Sequence, residues 1–315
     1  MDDLTIRCGL ELTYEAVDPT PMVLLIQPRL EKGQRIEREQ LSFAPNVYVE
    51  TYEDVHHNIV RRCEIPRGRL TIQHDAFVVV SSLPENQELN DVPLPVGEMS
   101  PELLRYTLPS RYCDSDQLMD FAFEKFGQVP HGLRRVQAIC DWVHQNIEYR
   151  WGSGNPNISA SGTLEQGFGI CRDFSHLSIA LCRCFNIPAR YVTGHLPDVA
   201  AQDSGVPMDF HAYFQVYVGN RWNSFDARFN VPRIGRIHIA CGFDAVECAF
   251  STLYGAAQLA WFNVWNYQID PAVVNLGDPI DLAKRLDGTP ELRFAPRALE
   301  PVEPMEAPRF GALQT

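Results

Sequence analysis

No apolar segment in this chain of 315 residues reaches the ~20 residues that a bilayer-spanning helix needs. A basic leader followed by an apolar run is also missing. The chain opens Met1-Asp2-Asp3-Leu4 and passes straight into a strand pattern, so no secretory signal is expected. Basic residues are in deficit, 27 Lys and Arg against 40 Asp and Glu, for a formal charge of -13. That balance argues against nucleic acid and membrane surfaces as partners, because both select basic patches. Metal chemistry lacks its signatures. Cys182-Arg183-Cys184 has the wrong spacing for a zinc knuckle, Cys241 and Cys248 have no convincing His partner, and no acidic cluster resembles a calcium loop. Gly152-Ser153-Gly154-Asn155 is not followed by Gly-Lys-Ser/Thr, and neither Gly-x-Ser-x-Gly nor His-Glu-x-x-His occurs. The expectation is a chain without metal or cofactor. Its 9 cysteines are odd in number and form no regular framework, which points to a reducing cytoplasm.

With 45% hydrophobic residues the chain can bury substantial cores, and its length suits two domains. Residues 5–82 read as strands. Ile6, Cys8, Leu10, Leu12 and Tyr14 alternate with polar neighbours, and Met22–Ile26, Val47–Thr51, Asn58–Glu64 and Arg69–Val80 continue the pattern. An antiparallel β-sandwich is expected over 1–83. Prolines 84, 93, 95, 101 and 109 mark a linker over 84–112. Leu133, Val136, Cys140, Val143 and Ile147 then mark an amphipathic helix within a domain over 113–270. Residues 271–315 form an extension, loosely packed from Pro290 onward.

Reactive chemistry concentrates in Gly167-Phe168-Gly169-Ile170-Cys171-Arg172-Asp173-Phe174. Phe174, Leu177, Ser178, Leu181 and Phe185 recur at helical spacing, which puts Cys171 at a helix mouth, where the dipole favours a thiolate. His211 opens the strand-like run Ala212–Val218, Gly219-Asn220 supplies a hairpin turn, and Arg221–Phe225 returns to Asp226. A hairpin sets the start of one strand beside the end of the next, so His211 and Asp226 are expected neighbours. Cys, His and Asp supply a nucleophile, a general base and a group that orients the imidazole. A Cys-bearing helix followed by a sheet bearing His and Asp is a papain-like α+β arrangement.

These residues resemble the transglutaminase-like superfamily. The similarity lies in Gly169–Leu177, in Asn186-Ile187-Pro188-Ala189-Arg190-Tyr191-Val192-Thr193-Gly194, in His211, and in Trp222 with Asp226. It is strongest to the bacterial branch whose members carry the label cysteine protease. The resemblance implies Cys171, His211 and Asp226 as the catalytic triad of a transglutaminase-like core behind an N-terminal β domain. One departure is Ala227, where the family often has Pro after the Asp; that Pro shapes a turn and does no chemistry.

Around the triad, Gln166, Trp151 and Tyr213 are candidates for the cleft or for oxyanion contact, and the Cys171 backbone N–H is a better oxyanion donor than Gln166. Trp151, Tyr213 and Trp222 are candidate aromatic walls. Asp173 suits a helix first turn. His176 points away from the thiol, His195 is a cleft candidate, and His56, His57 and His74 read as sheet-surface residues. Cys8, Cys63, Cys140, Cys182 and Cys184 read as small buried hydrophobes. The expected reaction is thiol-dependent acyl transfer on protein or peptide amides, with water as the favoured acceptor. The alternatives are amine transfer by a transglutaminase, transfer from a thioester to a small amine, and a non-catalytic binding scaffold.

Overall fold

The computed structural model describes residues 3–85, 89–201 and 207–288, together with the backbone of a short strand at 297–298. The β-sandwich is built from β1 (Asp3–Ala16), β2 (Thr20–Leu24), β3 (Gln34–Ala44), β4 (Glu50–Glu53), β5 (Ile59–Ile65) and β6 (Gly68–Ser81). Its apolar faces meet in a core of Leu10, Leu12 and Tyr14 from β1, Met22 and Leu24 from β2, Cys63 and Ile65 from β5, and Leu70 and Ile72 from β6. Only half of the long pair β1–β6 covers the second sheet. The other half, Ile6, Cys8, Ala76, Val78 and Val80, packs on Val199 and Ile237 of the catalytic unit. β6 is buried without alternation from His74 to Val80 because its other face is covered as well, Phe77 packing with Trp265, Tyr267, Ile269 and Val274.

β3 escaped the sequence reading. Its residues, Gln34-Arg35-Ile36-Glu37-Arg38-Glu39-Gln40, are almost all exposed, as suits a sheet-edge strand kept polar against further pairing.

After the sandwich come α1 (Pro101–Leu104), α2 (Met119–Phe126), α3 (Leu133–Asn146), β7 (Glu148–Tyr149), α4 (Ala160–Gln166), β8 (Phe168–Gly169) and α5 (Cys171–Arg183). The strands β9 (Ala189–His195), β10 (His211–Val218), β11 (Arg221–Phe225) and β12 (Ile237–Gly242) form one antiparallel sheet in the order β11-β10-β9-β12. Helix α5 lies on β9 and β10, with α3 and α4 against its other sides. Phe174, Leu177 and Leu181 of α5 share a core with Val136, Cys140 and Val143 of α3 and with Ala212, Phe214 and Val216 of β10. This is the α+β, papain-like core expected behind an antiparallel sandwich.

Two boundaries move. β13 (Ser251–Leu253) and β14 (Ala257–Ile269), which the sequence reading placed in the catalytic domain, pair with β2 and β1 and complete both sandwich sheets. With β6 on one side, β1 needs a second neighbour along its whole length, and a strand as long as β14 supplies it. The segment 84–112 is also no free linker. Tyr106 is buried against Trp222, and Arg183 reaches the Leu108 carbonyl. Beyond β14, Gly277 donates its N–H to Asp75, and Gln268 donates its N–H to Asp287, so 271–288 is anchored. The loose tail read from Pro290 onward lies outside the described residues apart from strand backbone at 297–298. No helix among the described residues is long and apolar enough to cross a membrane.

Candidate active site

The turn that carries Cys171 is built by short-range rules. Gly169 leaves no room for a Cβ, which would fall 2.6 Å from the Asp173 Cβ. The Asp173 carboxylate uses that space to accept the Ile170 N–H at 2.9 Å, capping α5, and pairs with Arg172 at 2.8 Å. Asp173 is therefore structural. Cys171 follows as the first residue of α5 and is half-buried, whereas the other eight cysteines are buried and all nine are free.

His211 is placed by the hairpin. Gly219 (φ 64) and Asn220 (φ 59) are both left-handed, the pair of angles that lets two residues join twisted antiparallel strands. The resulting register carries β11 back along β10, so that Asp226 ends beside His211. His211 Nε2 donates to Asp226 Oδ2 at 2.7 Å, with both side chains buried. A carboxylate only accepts, so this bond fixes the tautomer and leaves Nδ1 to face a second partner. The Ala212 backbone N–H is directed at the Cys171 thiol, which brings the sulfur against the residue next to His211. The three residues thus meet at one end of the catalytic sheet.

One member of the site was not legible in the sequence. Arg236, at the approach to β12, is buried and donates through Nη2 to Asp226 Oδ2 at 3.0 Å and through Nε to Glu85 Oε1 at 2.8 Å. Its guanidinium also lies 4.3 Å from the centre of the Tyr213 ring. Desolvation alone would raise the Asp226 carboxyl, but His211 and Arg236 hold it well below the usual carboxylate range. Arginine near a strand start carries no local signal; only the fold puts Arg236 and the 84–112 segment against Asp226.

The electrostatics set the resting proton positions. Burial pushes the Cys171 thiol up to about 11, with the Ala212 N–H and Arg228 pulling the other way and the exposed Asp209 adding to the rise. Burial also pushes the His211 imidazole down, and Asp226 offsets this only in part. The resting pair at neutral pH is therefore thiol and neutral imidazole. Alkylation of Cys171 by iodoacetamide, which consumes the thiolate, should then be slow at pH 7 and still be climbing between about pH 9 and 10, where an ordinary thiol of pKa about 8.5 has levelled off. Site-resolved mass spectrometry checks this, and a rate already flat from pH 7 would show a resting thiolate.

The remaining candidates separate. Trp151 is exposed and shares a small pocket with Met208, Asp209 and Phe262, which Cys171, His211 and Asp226 do not line. Gln166 spends its amide donor on the Phe168 carbonyl at 2.7 Å, a local loop contact. Tyr213 is fully buried, stacked 6.2 Å behind His211 and under Arg236, so it supports the base and lines no open cleft. Trp222 sits at the turn end of the hairpin, edge-on to Tyr217 and Tyr106, where it packs. His176 is a core residue stacked on Tyr112 at 4.9 Å, and His57 is exposed. His56 and His74 are not surface residues: His56 is buried between Tyr106 and Glu247, and His74 is fully buried with Glu39. His56 lies in the turn between β4 and β5, and His74 shares the inward face of β6 with Leu70 and Ile72. Among the described residues no three His, Cys, Asp or Glu side chains converge to hold a metal ion.

His195 is not in the cleft either. It is fully buried beside Phe210, and neither ring nitrogen finds a partner among the described residues. Burial pushes its imidazole down to about 3, so it stays neutral in the fold while the unfolded chain takes up a proton near 6.5. The unfolded state then binds more protons, and stability must fall as pH drops from about 6.5 towards 3, by up to about 1.4 kcal/mol per pH unit from this one residue. Urea melts at pH 7, 5 and 4 should show that fall, with a shallower slope for His195→Leu. An equal slope in the variant would mean that His195 is solvated.

The transglutaminase-like superfamily model matches residues 119–227, which span every triad position. A solved structure from Cytophaga hutchinsonii, titled a "putative cysteine protease", is 32% identical, with 86% of this chain and 92% of that chain covered at a TM-score of 0.77. An uncharacterized protein of Mycobacterium leprae is 23% identical over 203 residues, covering 63% of this chain and 73% of its own length.

Proposed function

Because the chain belongs to the transglutaminase-like superfamily, we propose that it is a thiol-dependent acyl-transfer enzyme acting on peptide or isopeptide amides, with Cys171, His211 and Asp226 as its triad. The observation that carries this reading is the buried His211–Asp226 bond of 2.7 Å beside a half-buried thiol at the mouth of α5. In the first half-reaction His211 takes the thiol proton as Sγ bonds to the carbonyl carbon. The Cys171 N–H, at the positive end of α5, is the candidate donor to the oxyanion. Collapse breaks the C–N bond, His211 returns the proton to the departing amine, and a thioester remains. Water, deprotonated by the same imidazole, then releases the acid and restores the thiol. A reducing, cytoplasmic setting suits nine unpaired cysteines.

Hydrolysis is the favoured outcome. The label on the Cytophaga hutchinsonii relative points that way, and Tyr213 and Trp222, two of three candidate walls for an amine channel, are engaged in packing. The test is a glutamine-containing peptide incubated with a fluorescent primary amine, with ammonia release and dye incorporation followed together. Ammonia release should exceed dye incorporation at low millimolar amine. Matched yields would make the chain a transglutaminase. Neither signal from any peptide in a library, with no acyl adduct on Cys171, would favour the non-catalytic scaffold.

A further inference from the structure

Arg228 lies two residues beyond Asp226, and its backbone N–H donates to Asp226 Oδ1 at 3.1 Å. The carboxylate that orients the imidazole therefore also fixes this arginine. Its guanidinium carbon lies 3.7 Å from the centre of the Tyr149 ring and 4.6 Å from that of Phe229. Tyr149 pairs in turn with Gly169, two residues before Cys171. Arg228 thus bridges the base's hairpin and the nucleophile's turn. A guanidinium held against rings keeps its in-plane N–H fork for a planar anion. No acceptor among the described residues takes up that fork. The neighbouring Arg172, Arg190, Arg233 and Arg236 are instead each committed to a carboxylate or an amide oxygen. Arg228 is half-buried, and its charge acts on both Cys171 and His211.

An uncommitted cation at the thiol is notable in a chain of formal charge -13, whose general field repels anions. We propose that Arg228 anchors a carboxylate of the substrate, so that the acyl donor is an acidic peptide whose scissile amide lies beside an Asp or Glu side chain or a terminal carboxylate. The assignment rests on Cys171 being the nucleophile. It makes Arg228 a specificity-determining residue: a carboxylate in its fork places the neighbouring carbonyl over the sulfur, and a neutral peptide lacks that anchor.

The test needs no known substrate. The intact chain is alkylated with iodoacetate or with iodoacetamide, which form the same S–C bond and expel the same iodide but differ in one carboxylate. Rates at Cys171 are read by peptide mass spectrometry and compared with those of cysteine in a short unstructured peptide. The iodoacetate-to-iodoacetamide ratio at Cys171 should exceed that of the peptide by roughly tenfold, the scale of a charge-assisted bidentate contact. Arg228→Gln should bring the ratio down to the peptide's, and Arg228→Lys should retain part of the excess. A ratio at Cys171 equal to the peptide's in the unmodified chain overturns the proposal without any variant, as does a ratio that Arg228→Gln leaves unchanged. Iodoacetamide labelling at an ordinary ratio removes only the Arg228 assignment. Failure of both reagents to label Cys171 removes the nucleophile and this proposal with it.

Discussion

Cys171→Ala is expected to abolish turnover, with a loss of at least about 10⁴-fold, and to shift the melting temperature by no more than a few degrees. The two readouts separate because of where the thiol sits. Cys171 is half-buried at the first turn of α5, and removing its sulfur opens no enclosed cavity. The residues that hold the turn together, Gly169 and Asp173, are untouched. With the nucleophile gone, neither His211 nor the helix dipole can form a thioester, and what remains is binding and oxyanion contact alone. Cys171→Ser is the sterner control, since it keeps a hydroxyl in place but with a far higher pKa. It should be nearly as inactive. Measurable turnover by the alanine variant at a tenth of the original rate would remove covalent catalysis at this position.

The placement of His211 beside Asp226, and of Cys171 at a helix mouth, was legible in the sequence because it is local. A glycine pair, a cysteine and a helical repeat specify the nucleophile's turn within a few residues. The Gly219-Asn220 hairpin then specifies which side chain returns beside His211. What escaped is long-range. Arg236 reaches Asp226, and Glu85 reaches Arg236, only through the tertiary fold, and proline content made the 84–112 segment that carries Glu85 resemble a spacer. β3 is so polar that neither period stands out, and β14 is separated from β1 by most of the chain, although the two pair from Thr5↔Ile269 to Ala16↔Ala257. Burial of His56, His74 and His195 is likewise set by neighbours distant in sequence: Tyr106 and Glu247 hold His56, Glu39 pairs with His74, and Phe210 packs on His195.

Asp226→Ala should cost both activity and stability, and the pairing of losses distinguishes it from Cys171→Ala. The activity loss should be roughly 10²–10⁴-fold, smaller than for the nucleophile, because Asp226 orients the imidazole and stabilises its charged form without touching the substrate. The stability loss follows from what else Asp226 holds. Its Oδ2 accepts from both His211 and Arg236, and its Oδ1 accepts the backbone N–H groups of Arg228 and Phe229 at 3.1 and 3.4 Å. Removing it leaves the buried Arg236 with Glu85 as its one carboxylate partner, and the tether of Arg228 is lost. Breaking a buried, hydrogen-bonded ion pair of this kind costs about 3 kcal/mol. The pH dependence has a defined sign. Because the fold holds the Asp226 carboxyl below its unfolded value, its contribution is complete above about pH 4 and is lost as pH falls below that, so the gap between the original chain and the variant should narrow in acid. Asp226→Asn separates shape from charge. It preserves the volume and one acceptor, yet an amide N–H₂ now faces either His211 or Arg236, both of them donors. The amide should therefore recover part of the stability and little of the rate. If Asp226→Ala melts several degrees lower but turns over at an undiminished rate, Asp226 serves only to neutralise Arg236, and the catalytic unit reduces to Cys171 and His211.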